Sequence, residues 1–264
     1  MKVSNIDKLK IDLLNDLEYF GNKIALVCSF STDELKLDYL SKNDGLSMDA
    51  KVKIIASLDN DHKKLEILRE LKNDSHADKE TVTSILGSIH DDKLKYKYMN
   101  MYYNLINKEI LVSTFKSDSY KLNYLDNNEV DIVKKYNILK TLTDDEYKKS
   151  YIISNPPLLS GDAEEFAFTE FLASIHDDNF KKPYLTNKSI SKPFNIRMLI
   201  MSLDSDDNKL DYLRMFDTQY TKVDFITSIS SDTLKDSLLA KIDNPYYRYG
   251  IIASFKDDKY KIKY

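Results

Sequence analysis

Ile85-Leu-Gly-Ser-Ile-His-Asp-Asp-Lys-Leu-Lys-Tyr-Lys-Tyr-Met99 is written again, with small changes, along the whole chain. It returns as Phe171-Leu-Ala-Ser-Ile-His-Asp-Asp-Asn-Phe-Lys-Lys-Pro-Tyr-Leu185 and as Ile251-Ile-Ala-Ser-Phe-Lys-Asp-Asp-Lys-Tyr-Lys-Ile-Lys-Tyr264. With the central Ser as position 0, nine copies are centred on Ser29, Ser57, Ser88, Thr114, Thr141, Ser174, Ser202, Ser228 and Ser254. The intervals between them run from 26 to 33 residues. A recurrence of that length marks stacked structural repeats.

Two columns do not vary. Position +4 is Asp33, Asp61, Asp92, Asp118, Asp145, Asp178, Asp206, Asp232 and Asp258. Position +7 is Lys36, Lys64, Lys95, Lys121, Lys148, Lys181, Lys209, Lys235 and Lys261. A half copy, Asp7-Lys-Leu-Lys10, opens the array. Positions −3 and −2 are mostly large and apolar, and +1 is Phe, Leu or Ile, which places them on one side of a helix that ends near the Ser. The small residues at −1 suit close approach of a neighbouring helix, and Cys28 at that position reads as core-facing. Position +3 is Ser, Thr, Asp or Asn, an N-cap for a second helix. Asp at +4 then falls at its first residue, where a carboxylate suits the helix dipole.

Each repeat therefore reads as a short helix A, a tight turn and a short helix B. Helices this short persist by stacking on their neighbours. The expected fold is all-α: an α-solenoid of about nine helix-turn-helix repeats of 26–33 residues plus an N-terminal half repeat. It forms one elongated domain over 1–264, with a bend at 153–165. Gly21-Asn22 is expected to break the opening helix, and Pro183 to shorten the helix around it. Longer linkers fall at Lys72–Lys79 and Ser154–Ala163.

The Asp column is never Glu, so a carboxylate of fixed reach is expected to contact Lys at +7 or the adjacent repeat. These eighteen residues are expected to form a ladder through the stack. The layout resembles HEAT-like α-solenoid repeats, in which an Asp and a basic residue commonly form such ladders. The repeats here are shorter than HEAT units, Lys stands where Arg is usual, and Tyr replaces small second-helix residues. The resemblance is architectural and implies a binding scaffold.

The remaining composition narrows the function. Net charge is −4 and there are only four Arg, which counts against a nucleic-acid partner. One cysteine permits no internal disulfide and suits a reducing compartment. The N-terminus has no secretory h-region and no apolar run reaches membrane-spanning length, so a cytoplasmic protein is expected. Five glycines are scattered singly, without a phosphate loop. His90 and His176 read as exposed turn residues rather than metal ligands. The clusters Tyr102-Tyr103 and Tyr246-Tyr247-Arg-Tyr249 read as linker packing. The expected function is non-catalytic protein–protein recognition along the concave face of the solenoid, without cofactor or metal. A single-stranded RNA reader is the alternative, and an enzyme with its site at 154–163 the third reading.

Overall fold

A computed structural model describes residues 4–73, 77–187 and 189–264. Among the described residues there are nineteen α-helices, three short 3₁₀ turns and no strand. The chain divides into two compact halves, Met1–Asn128 and Glu129–Tyr264.

The N-terminal half runs α1 (Asn5–Asp16), α2 (Phe20–Cys28), α3 (Asp33–Lys42), α4 (Met48–Ala56), α5 (Asp61–Asn73), α6 (Lys79–Gly87), α7 (Asp92–Met101), α8 (Lys108–Ser113) and α9 (Asp118–Asn127). The C-terminal half runs α10 (Ile132–Leu139), α11 (Asp145–Ser154), α12 (Asp162–Ala173), α13 (Asp178–Lys181), α14 (Pro193–Met201), α15 (Asp206–Leu210), α16 (Gln219–Ser228), α17 (Asp232–Leu239), α18 (Pro245–Ala253) and α19 (Asp258–Ile262). Even-numbered helices are the A helices and odd-numbered ones the B helices. In the first half α2, α4, α6 and α8 pack in succession; in the second, α10, α12, α14, α16 and α18 do so.

The local chemistry explains the boundaries. After the opening half repeat, every B helix begins at its +4 Asp. The +3 side chain accepts a first-turn N–H in α7, α11, α13, α15, α17 and α19, whereas Thr32 and Ser117 cap without such a bond. All nine +1 side chains are buried, from Phe30 to Phe255, together with nearly every −3 and −2 residue. Pro183 ends α13 after Lys181, and the chain continues as the 3₁₀ turn Lys182–Leu185.

Two local readings are corrected. The break after α1 lies at Leu17–Tyr19, and Gly21 sits inside α2. A Cβ on Gly21 would meet the Tyr19 ring at 2.9 Å, so this glycine makes room for an aromatic side chain and does not end a helix. The −1 column is half-buried on the outer side of the A helices, and Cys28 borders an open groove there. Small size still matters at Gly87, where a Cβ would lie 3.3 Å from Thr114 of the next repeat. The linker Lys72–Lys79 includes residues 74–76, which lie outside the described residues.

Candidate functional site: a ladder along the turns and an aromatic row on the A helices

A two-residue turn between helices leaves backbone groups without partners. The last carbonyls of A and the N–H groups of the turn have no helical bond. The repeated side chains answer them one by one. The Ser or Thr hydroxyl at position 0 donates to the carbonyl three residues back in all nine repeats, as in Ser88 to Ile85 at 2.8 Å and Thr141 to Ile138 at 2.7 Å.

The other groups are served from the preceding repeat. Asp33 accepts from the N–H of Asp59 and Asn60 at 2.8 and 2.9 Å. Asp61 accepts from His90 and Asp91 at 2.8 and 2.9 Å, and Asp92 from Lys116 and Ser117 at 3.0 and 2.8 Å. In the second half Asp145 accepts from His176 at 2.8 Å, and Asp178 from Asp204 and Ser205 at 2.7 and 3.0 Å. Asp206 accepts from Ser230 and Ser231, both at 2.8 Å, and Asp232 from Lys256 and Asp257 at 2.9 and 2.7 Å. Asp7 of the half repeat bonds Ser31 in the same way.

Lys at +7 crosses in parallel. Its ammonium donates to the position-0 carbonyl of the following repeat: Lys64 to Ser88 at 2.6 Å, Lys95 to Thr114 at 2.8 Å, Lys148 to Ser174 at 3.0 Å and Lys235 to Ser254 at 2.6 Å. Lys36, Lys181 and Lys209 reach Ser57, Ser202 and Ser228 at 2.5 Å, and Lys10 reaches Ser29. Those carbonyls lie at the negative end of each A helix. Most of the lysines also lie 3.0–3.9 Å from their own +4 carboxylate. Eight of the nine are buried; Lys261 in the last repeat is exposed. Their four-carbon stems run through the interior while the charged tip reaches the turn. Asp118 pairs with Lys121 at 3.5 Å.

Burial and these bonds set the protonation. Burial pushes the Asp61 and Asp145 carboxyls up, but the N–H bonds and the lysine beside each outweigh it and hold both below the usual range. Asp178 is held down in the same balance, with Asn208 as a further donor at 2.6 Å. Burial brings Lys95 down to about 8 and also lowers Lys64, Lys181, Lys209 and Lys235.

His90 and His176 lie in the turns as exposed residues that lend their backbone N–H groups to Asp61 and Asp145. Among the described residues no group of three His, Cys, Asp or Glu is placed to hold a metal. The stretch 155–161 separates α11 from α12, and Ser160 donates to Glu164 at 2.7 and 2.9 Å in a helix-start cap.

A second feature lies on the outer side of the A helices. Position −8, near their N-termini, is Phe166, Phe194, Tyr220 and Tyr246 in α12, α14, α16 and α18. These four are 40%, 60%, 63% and 85% exposed. Phe166 and Phe194 stack with centroids 6.2 Å apart and planes 20° apart. Tyr249, one turn along α18, is exposed beside them, while Tyr247 packs on the core. Lys192 pairs with Asp162 at 3.0 Å and Lys140 with Glu170 at 2.8 Å; Arg197, one turn along α14 from Phe194, and Asp224, one turn along α16 from Tyr220, belong to neither pair. The equivalent face of α2 and α4 is instead a groove of about 530 Å³ lined by Phe20, Gly21, Ile24, Ala25, Cys28 and Ala50. Counting back eight residues from each Ser in the sequence exposes the aromatic row; counting forward from helix starts hides it, because linker lengths differ.

No protein family, curated protein sequence or solved structure matches this chain. Among the described residues no helix is long and apolar enough to cross a membrane.

Proposed function

We propose that the chain is a non-catalytic scaffold, an α-solenoid of HEAT-like repeats, that recognises a protein partner on the outer face of its A helices. The supporting observation is a division of labour between the two side-chain sets. In seven of the nine repeats the invariant Asp and Lys are turned onto backbone groups of the following repeat, which leaves them unavailable as a ligand-binding row. On the A helices of the last four repeats, position −8 instead carries four exposed aromatic rings. Exposed aromatic side chains are what interface centres are enriched in. The rings also offer stacking platforms for bases, but a net charge of −4 with only four arginines supplies little of the free positive charge that single-stranded nucleic acid needs.

The test is affinity capture from lysate at high salt after nuclease treatment, comparing wild type with Phe194→Ala/Tyr220→Ala/Tyr246→Ala. A salt-resistant protein retained by wild type and lost by the triple variant is the expected result. Recovery of RNA alone, abolished by nuclease, overturns the reading.

A further inference from the structure

The geometry points to a binding site for a small monocarboxylate whose neighbouring atoms carry hydroxyl or amide groups, in a polar cavity of the N-terminal half. The site is separate from the aromatic row and does not rest on the scaffold reading. The cavity, of about 360 Å³, lies between the C-terminal parts of α7 and α9 and the first residue of α8. That volume is in the range of small-molecule sites.

One wall carries an unanswered donor. Tyr124 on α9 is 8% exposed, and its hydroxyl makes no hydrogen bond to any described residue. A buried polar group without a partner is costly and calls for an explanation. The hydroxyl is not sealed in. Among the described residues Thr32 Oγ1 alone is both fully buried and unpaired. The Tyr124 oxygen therefore holds part of the residue's small remaining surface, and this residue lines the cavity. Burial first, then Glu109 and Tyr103, push the phenol up to about 12, so at neutral pH it stays protonated and donates.

The other walls fix the class of ligand. Lys108 is the one charged side chain among them. Its ammonium lies over the Tyr103 ring, and no carboxylate among the described residues pairs with it. Lys97, Glu109 and Asp126, on the same three helices, are not walls, and Glu109 has a partner of its own. One positive charge and no negative one disfavours cations. A phosphate monoester brings a charge of about −1.5 to −2 at pH 7, whereas a carboxylate brings a single charge to match the single lysine. Four carboxamides complete the polar lining. Asn127 donates to the Asn123 backbone and side-chain oxygens at 2.8 and 2.9 Å, and Asn128 to the Tyr124 carbonyl at 2.8 Å. Asn123 Nδ2, the side-chain oxygens of Asn127 and Asn128, and both ends of the Asn100 amide have no protein partner among the described residues. Free donors beside free acceptors match groups that both donate and accept, as hydroxyls and amides do. An apolar ligand would leave them unpaired. Two sources carry this chemistry, a sugar acid and the C-terminus of a peptide.

Isothermal titration calorimetry of the full chain with gluconate and with N-acetylglycylglycine decides the matter. Glucose and N-acetylglycylglycinamide serve as their uncharged counterparts, and inorganic phosphate as a third anion. Saturable binding of at least one carboxylate is expected, about tenfold or more tighter than its uncharged counterpart. Tyr124→Phe removes only an oxygen without a protein partner, so it is expected to keep the fold and weaken that binding about tenfold. Lys108→Gln is expected to bring the carboxylate to the affinity of its uncharged counterpart. Tyr220→Phe, in the other half, is expected to bind as wild type. Tighter gluconate assigns a sugar acid, and tighter N-acetylglycylglycine a peptide end. No saturable binding of either carboxylate, binding that Tyr124→Phe leaves unchanged, or a preference for phosphate or for the uncharged counterparts overturns the inference.

Discussion

In the N-terminal half, position −8 is Gly21, Asp49 and Glu80 on α2, α4 and α6, and the buried Ile106 before α8; in the last four repeats it is Phe166, Phe194, Tyr220 and Tyr246. Along the turns the two halves cannot be told apart. Asp33 and Lys36 do in the first half what Asp206 and Lys209 do in the second, with the same backbone partners at nearly the same distances. The contrast separates what a repeat needs in order to stack from what is left to differ. Stacking consumes the groups that a tight turn leaves unpaired. Nothing in that arrangement constrains the outer face of the A helices, so that face differs between the halves.

The comparison is tested hardest at the buried lysines. Lys95→Ala removes a buried cation from the Thr114 carbonyl and from Asp92. Removing one partner of a buried charged pair costs about 3–5 kcal/mol, so a loss near 3 kcal/mol is expected in urea denaturation. Lys235→Ala in the other half is expected to cost the same. A cost below about 1 kcal/mol at Lys235 would show that the two halves are held together differently. Lys261→Ala, on an exposed side chain in the last repeat, is expected to leave the transition in place.

The carboxylates come next. Asp92→Ala and Asp206→Ala each strand two turn N–H groups, at about 1–3 kcal/mol. Asp258→Ala, 82% exposed and bonded to Lys261, is expected to leave the melting temperature unchanged. Asp92→Glu retains charge but moves it outward and is expected to recover less than half of the loss. Acid reads the same groups together. The carboxyls of Asp61, Asp145 and Asp178 are depressed in the folded state, so their stabilisation is present above the ordinary carboxylate value near 3.8 and is lost as pH falls through their folded values. Unfolding monitored by circular dichroism is therefore expected below about pH 4.

Alkali gives a smaller effect with a turning point. Lys95 falls to about 8 in the folded chain, so between about 8 and 10.5 the unfolded chain binds more protons and stability rises with pH. Tyr124 and Tyr136 are pushed up to about 12 by burial, so above their unfolded value of 10 stability falls again. A maximum of the melting temperature near pH 9–10 is expected, and Lys95→Met is expected to flatten the rising limb.

Much of this fold was readable because the Ser, Asp and Lys columns keep fixed spacing, and every complete repeat's B helix begins at its Asp. The burial of the lysines was not readable: Lys is ordinarily exposed, and only the stacked carbonyl of the next repeat makes an interior position tolerable. The position-0 residue reads in sequence only as a marker of the helix end, because its back-bond to −3, present in all nine repeats, leaves no trace in residue spacing. Gly21 looks in sequence like a helix breaker because a glycine required by a neighbouring side chain, here Tyr19, cannot be told from one required by a turn. Tyr246 stands in an evident local cluster, but its kinship with Phe194 and Tyr220 lies across repeats of unequal length.

The smallest expected stability change belongs to the aromatic row, and it carries the most functional weight. Phe194→Ala and Tyr220→Ala remove rings that are more than half exposed, so each is expected to move stability by no more than about 0.5 kcal/mol. Asp92→Ala in the same denaturation series lowers stability and leaves the row intact. If the halves differ because one face is free for recognition, the two kinds of variant separate: ring variants lose ligand at unchanged stability, and ladder variants lose stability at unchanged affinity per folded molecule. A drop of about 2 kcal/mol or more in Tyr220→Ala would mean that the ring is a packing element of α16, and the contrast between the halves would then be one of construction rather than recognition.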